Sequence, residues 1–331
     1  MSKRKYMIGA VAAAMAVAVG GLLPLQSATA QTVKARIAVI YKDGQPTARM
    51  WSRFGELVKE RTGGSIELQI FTGGQLGGER EVAEGMRLGS IQGADSTLAA
   101  LSSWVPQGQI FDMPFVFRDL AHVEAVTNGP IGQSYKPLYR DQGFELLSYI
   151  TYGARSVVSR QALQTPTDVR GKKMRVLQSP LHIAIWKTMG ANPTAIPITE
   201  TYGALSTGVV DFMDMTKDGF EALKLFEVAP YFVETGHIWS LGGIVFSKSF
   251  WEKLSPDQRK VMQTTADEMA SYFNRIQQEE IGKALERTVA KGAKVVKVNQ
   301  DPWRDAMLPV WEAEASKFGG IDKIKAIANT R

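Results

Sequence analysis

GKKMRVLQSPLHIAIWKTMGANPTAIPITETYGALSTGVVDFMDM, residues 171–215, decides the fold of this chain. Residues 173–177 (KMRVL) are a short apolar run with one cation, Arg175, inside it, and predict a strand. From His182 the apolar spacing is helical and stops at Gly190. A second short strand is predicted over 195–198, after Pro193. Thr199 and Tyr202 then open a helix that ends near Gly208, and 209–213 is a third apolar run. Alternating short strands and helices imply an α/β fold with a parallel sheet whose strand ends converge on a crevice. An arginine inside an apolar strand is costly to bury without an anionic partner. Two partners would serve Arg175, an internal Asp or Glu or the carboxylate of a ligand, and the residues alone leave both open.

Outward from that stretch, the first thirty residues read as a targeting segment. Lys3, Arg4 and Lys5 form a basic start, residues 6–25 an Ala/Val/Leu-rich core, and Ser27-Ala28-Thr29-Ala30 a small-x-small cleavage site. Export to the periplasm, with cleavage after about Ala30, is therefore expected. Cleavage removes three cations and no acid, so the formal charge of +6 falls to +3, too small and too dispersed to argue for nucleic-acid binding. The absence of cysteine excludes disulfides, thiolate metal sites and a cysteine nucleophile. A mature chain of about 300 residues exceeds a comfortable single core, and two lobes are expected.

Residues 33–41, 47–62 and 65–71 read as strand, helix and strand, the start of an α/β lobe. The glycine-rich run 73–78 lacks the Lys-Ser/Thr of a phosphate loop and reads as a turn into the helix Glu79–Leu88, whose start can present amide groups to an anion. A strand and turn over 89–101 carries Asp95, Ser96 and Thr97 near its tip. Residues 144–152 read as a strand leaving the first lobe, and 233–247 as a second crossing interrupted by Gly242-Gly243. Ser255, Pro256 and Gln258 make a capped helix start, and apolar spacing then persists to about Ala290. At 1.5 Å per residue that helix is roughly 50 Å long, and it reads as a spine spanning both lobes. A last strand over 294–298 and a closing helix over 303–318 follow. The predicted organisation is a signal peptide at 1–30, lobe I at 31–152 and 240–280, and lobe II at 153–239 and 281–331, the last including a C-terminal helix.

Catalytic and metal signatures are sparse. His122, His182 and His237 are not spaced as a metal pair, and neither HExxH nor GxSxG occurs. Asp211, Asp214 and Asp218 suit a hard cation by their oxygens, but helix-start charges explain them equally well. No cofactor, metal or catalytic residue is expected. A binder needs less: one rigid guanidinium gripping a carboxylate through two charge-assisted bonds, each worth roughly 1.5–3 kcal/mol, toward the ~8 kcal/mol of a micromolar complex.

Three pieces in order, GxKxRV at 171–176, GANPTxxP at 190–197 and ExYxALxTGVVD at 200–211, resemble the DctP-type substrate-binding proteins of TRAP (tripartite ATP-independent periplasmic) transporters. GGQLGGERE at 73–81, IFDMPFVFRD at 110–119 and TYGARS at 151–156 are similar to further segments of that family. The resemblance implies a two-lobed periplasmic-binding-protein-like fold with hinge strands. It also implies a small organic anion as ligand (a C4-dicarboxylate or related carboxylate, alternatively a sugar acid, aromatic acid or sulfonate) and integral membrane permease subunits as partners. A monomer is the expected state. Under the resemblance Arg175 is the carboxylate clamp, Arg155 a second pocket arginine and Gln178 a polar wall. Glu79, Ser96 and Thr97 are then ligand-facing positions of the first lobe, and Ile198 stands where sialic-acid binders place a phenylalanine. Met215 departs from the family, which has an asparagine after QE there, and this makes the pocket floor more apolar. Two other classes remain, a periplasmic enzyme using Glu79 or His237, and a sensor partner that reports the ligand to a receptor.

Overall fold

In the computed structural model, which describes residues Thr32–Arg331, nine strands form one mixed sheet. They are β1 (Val33–Ala38), β2 (Ile66–Phe71), β3 (Gly93–Thr97), β4 (Phe144–Ser159), β5 (Lys173–Val176), β6 (Asn192–Ala195), β7 (Phe212–Met215), β8 (Tyr231–Ser247) and β9 (Lys294–Val296). Their order is β2-β1-β3-β8-β4-β7-β5-β6, with β9 paired to β8. The expected export segment at 1–30 lies outside the described residues.

The helices are α1 (Pro46–Arg61), α2 (Glu79–Leu88), α3 (Leu120–Asn128), α4 (Pro130–Asp141), α5 (Pro180–Thr188) and α6 (Thr201–Ser206). They continue with α7 (Lys217–Ala222), α8 (Lys248–Trp251), α9 (Pro256–Ala290), α10 (Gln300–Met307), α11 (Pro309–Glu314) and α12 (Ile321–Ala328).

Sheet order follows from chemistry already visible in the chain. The half β2-β1-β3 is parallel, and so is the half β7-β5-β6, as strand–helix alternation requires. Between them lie β4 and β8, antiparallel to each other and to their outer neighbours β7 and β3. Both are long because each belongs to both halves: Leu146 pairs with Val245 at one end and Val158 with Phe232 at the other. Midway, where Gly153 faces Ser240, the register slips and Gly153 takes a φ of +97°, a conformation that costs glycine little. The molecule is thus a two-lobed α/β binding-protein fold with two crossing strands. The parallel pairing expected from residues 171–215 forms among β5, β6 and β7, and the sheet turns antiparallel only at the crossing strands, which carry no helix to return them.

The spine helix α9 runs for 35 residues, closed at its start by a reciprocal pair in which Ser255 Oγ accepts from Gln258 N and Gln258 Oε1 accepts from Ser255 N. It packs on α1 and β4 toward its start and on α7 toward its end, so it spans both halves. Met262, Ala266, Met269 and Phe273 bury against Trp51, Phe54 and Phe246, while Leu285 meets the cluster of Met213, Phe220 and Phe232.

Four local expectations are corrected. Gly242-Gly243 does not interrupt β8, because these glycines permit close approach: a Cβ on Gly243 would sit 2.1 Å from Leu146, and one on Gly242 2.7 Å from the Ser96 carbonyl. The strand predicted at 195–198 lies at Asn192–Ala195, held by Asn192–Lys173 register, and the one predicted at 209–213 lies at Phe212–Met215. The closing helix over 303–318 breaks into α10 and α11 at Pro309, which cannot donate the helical bond, and α12 was not foreseen. The C-terminal helices divide between neighbours: α10 meets α5, whereas His122 and Arg118 bond the carbonyls of Ile327, Ala328 and Thr330 around the end of α12.

Candidate functional site

Strand ends from both halves converge on one cavity, lined by Ile40, Tyr41, Glu79, Asp95, Thr97, Tyr152, Arg155, Arg175, Leu177, Ile198, Met215, Thr216 and Ser240. One half contributes the end of β1, the start of α2 and the tip of β3. The other contributes β5, the segment after β6 and the end of β7, and the crossing strands supply Tyr152, Arg155 and Ser240.

Arg175 projects from β5 and is only 2% exposed. Its Nε donates to the Ile196 carbonyl at 2.8 Å, which fixes the plane of the guanidinium. Its Nη1 is buried with no hydrogen-bond partner, and no Asp or Glu forms an ion pair with it among the described residues. Burial first, and then repulsion from Arg155, lower its proton affinity to a pKa of about 10. Of the two partners the sequence left open, an internal acid is not the one it has.

Arg155, on β4, does have that internal acid. Its Nε donates to Asp214 Oδ2 at 2.9 Å and its Nη2 to Asp214 Oδ1 at 2.7 Å, a bidentate pair with both side chains buried. His237 Nε2 lies 3.2 Å from the same carboxylate, and its Nδ1 is 2.8 Å from Thr235 Oγ1. Burial opposes the charge on Asp214, but Arg155 outweighs it and holds this carboxyl well below the usual range. His237 is shifted downward, chiefly by burial, so it is neutral near pH 7. Neither His237 nor Asp214 lines the cavity.

The opposite wall is acidic. Glu79, the first residue of α2, accepts from Thr97 N at 2.9 Å. Asp95 on β3 is 4% exposed, and its two oxygens accept from Trp51 Nε1 at 2.9 Å and from the Tyr152 hydroxyl at 3.1 Å. Burial raises its pKa to about 7 against the lowering effect of those two bonds. Thr216, just past β7, presents a buried hydroxyl with no hydrogen-bond partner.

Six residues singled out from the sequence therefore meet at one cavity: Arg175, Arg155, Glu79, Thr97, Ile198 and Met215. Gln178 lies instead in a smaller adjoining recess that it shares with Glu79, Arg175 and Ile198. Ser96 is buried without lining either. Strand alternation explains this, since Asp95 and Thr97 share one face of β3 and Ser96 takes the other. The same alternation is the signal that would have selected Asp95. Tyr41, Tyr152, Thr216 and Ser240 were also missed: Tyr41 and Thr216 lie just past strands whose ends the sequence places only loosely, and Tyr152 and Ser240 lie mid-way along the crossing strands.

Residues 37–317 match the family described as bacterial extracellular solute-binding protein, family 7. The chain belongs to this family. Among relatives of this solute-binding protein, the 2,3-diketo-L-gulonate-binding periplasmic protein YiaO of Escherichia coli is 30% identical over 82% of each chain. The C4-dicarboxylate-binding periplasmic protein DctP of Shewanella loihica is 27% identical over 85% of this chain and 84% of that one. A TRAP periplasmic solute-binding protein from Bradyrhizobium sp. BTAi1, solved with bound D-galacturonate, superposes with a TM-score of 0.86 at 30% identity, covering 90% of this chain and 100% of that one. The family is that of the TRAP solute-binding proteins, which are components of transport.

Proposed function

We propose that this chain is exported through residues 1–30, captures a small organic acid anion between its lobes, and delivers it to a TRAP-type integral membrane permease without making or breaking a bond. The observation that carries this reading is the unpaired, buried guanidinium of Arg175. A buried charge with no counter-ion costs several kcal/mol, and a ligand carboxylate is the partner that would recover it. Among the cavity-lining residues, Arg175 Nη1 and the Thr216 hydroxyl are the two buried groups without a hydrogen-bond partner, and they form the carboxylate seat in this reading. Glu79, Thr97, Ile198 and Met215 wall the ligand, and Gln178 and Ser96 support that wall from behind. Arg155 lines the same cavity, but its charge is neutralised by Asp214, so it shapes the base of the seat and leaves the carboxylate to Arg175. The lobes are 31–152 with 240–280, and 153–239 with 281–331, and they pivot where Gly153 faces Ser240.

Both a C4-dicarboxylate and a sugar acid satisfy the Arg175 seat, and relatives bind each kind. A thermal-shift screen of the mature protein against C4-dicarboxylates, uronates, aldonates, aromatic acids and sulfonates tests the reading. A saturating ligand at a hundred times its Kd adds about 2.7 kcal/mol of stability, which is easily seen. No stabilisation by any carboxylate would overturn it.

A further inference from the structure

The cavity is not evenly charged. Arg155 is neutralised by Asp214, which leaves one free cation, Arg175, facing two carboxylates, Glu79 and Asp95, neither of which is ion-paired among the described residues. Asp95 is held in place from behind by Trp51 and Tyr152, so it cannot swing away when the cavity fills. Resting on the anion-binding reading above, we propose that Asp95, together with Glu79, bars a second carboxylate from this cavity, so that its ligand is a monoanionic hydroxy acid whose hydroxyl groups donate to these two side chains.

The chemistry is specific about which acids fit. With its carboxylate on Arg175, a dicarboxylate of any length that fills the cavity directs its far end away from that guanidinium and toward the acidic wall. Like charges brought together in a site of low dielectric are strongly disfavoured. A hydroxyl in the same place donates instead, and an ionised carboxylate has about four acceptor sites, of which Asp95 uses two. Glu79 uses one oxygen on Thr97 N, leaving Oε2 for a ligand. Ile198, Leu177 and Met215 cover the sides with apolar surface and offer no third charge.

Two matched ligand pairs isolate the second carboxylate from every other difference, namely galacturonate against galactarate and erythronate against tartrate. Calorimetric titration of the mature protein with all four at pH 8.5, where Asp95 and Glu79 are both ionised, should show each monoacid binding at least tenfold tighter than its diacid. Asp95→Asn keeps an acceptor for Trp51 and should narrow that ratio to threefold or less by improving the diacid. Glu79→Gln, at a half-buried position where the amide oxygen can still accept from Thr97 N, should narrow it in the same sense and stands in if Asp95→Asn fails to fold. A diacid that binds the parent as tightly as its monoacid overturns this inference and leaves the anion-binding reading intact. Equal weakening of both members of a pair by both variants also overturns it, because that is what a purely structural role gives. Failure of all four ligands on the folded parent overturns this inference, and the anion-binding reading falls with it only if no carboxylate of the wider thermal-shift screen binds either.

Discussion

Arg155 and Asp214 lie edge to edge at full burial, Nε to Oδ2 at 2.9 Å and Nη2 to Oδ1 at 2.7 Å, with Nη2 also donating to the Asp214 carbonyl at 2.6 Å. Three bonds join β4 to β7 at the base of the cavity, and His237 on β8 completes the set. Breaking one half of such a pair strands the other charge in the interior. Asp214→Asn should therefore cost about 3–5 kcal/mol in urea unfolding, and Arg155→Met with Asp214→Asn together should cost clearly less than the sum of the singles. A cost under about 1 kcal/mol for Asp214→Asn would mean the pair is structurally idle. Arg155→Ala, which strands Asp214 in the same way, should likewise report first on stability and only then on ligand preference.

Arg175 gives the opposite signature. Its charge is buried without an acid, so Arg175→Met, which preserves volume, should leave the ligand-free melting temperature unchanged or higher. Ligand-induced stabilisation should vanish in the same protein, measured by thermal shift with whichever acid stabilises the parent. A variant that still responds to that acid would place the carboxylate elsewhere.

The contrast between these two arginines shows how far the sequence could be read. Residues 171–215 gave the alternation of elements and singled out Arg175, because an arginine in KMRVL has few benign explanations. Arg155 entered only as a second pocket arginine implied by the resemblance, and its acid was not foreseen, since Asp214 is 59 residues away and only the antiparallel pairing of β4 with β7 brings them together. Long-range pairing of this kind leaves no local trace. Capping chemistry does, which is why the start of α9 at Pro256 and the span of α2 were legible to the residue. Strands of four residues such as β6 and β7 carry too little pattern to fix their ends, so Thr216, one residue past β7, escaped notice.

Gly153 marks the midpoint of both crossing strands, and two constraints act on it separately. Its φ of +97° disfavours any side chain, and a Cβ there would lie 2.5 Å from Ile281 Cδ1 on the spine helix. Gly153→Ala should destabilise the protein by about 2–4 kcal/mol in urea. Gly171→Ala supplies the comparison, since Gly171 has a similar φ of +71° but nothing within 4 Å of its Cβ position. It should cost only the backbone part, about 1 kcal/mol. Equal costs at the two sites would show that contact with α9 does not constrain the crossing.

Asp95 should make both stability and binding depend on pH near neutrality. The groups facing it are Glu79, Tyr41 and Tyr152 around the cavity, Trp51 from α1, and Arg155 and Arg175 across from it. Its folded pKa of about 7 stands above its unfolded value near 3.8, so its contribution to stability is complete below pH 3.8 and is lost as pH rises through 7. His237, lowered by burial, slopes the other way, losing stability as pH falls below about 6.5, so the parent's own profile mixes the two. The difference between parent and Asp95→Asn cancels His237 and isolates Asp95. Relative to the parent, Asp95→Asn should gain about 1–3 kcal/mol between pH 5 and pH 8, measured by urea unfolding at each pH. Binding follows the same proton: an arriving anion favours the protonated, neutral Asp95, so the parent's affinity for a monocarboxylate should fall as pH rises through 7, while that of Asp95→Asn stays level. A parent profile as flat as the variant's would mean that Asp95 does not change its charge between pH 5 and pH 8.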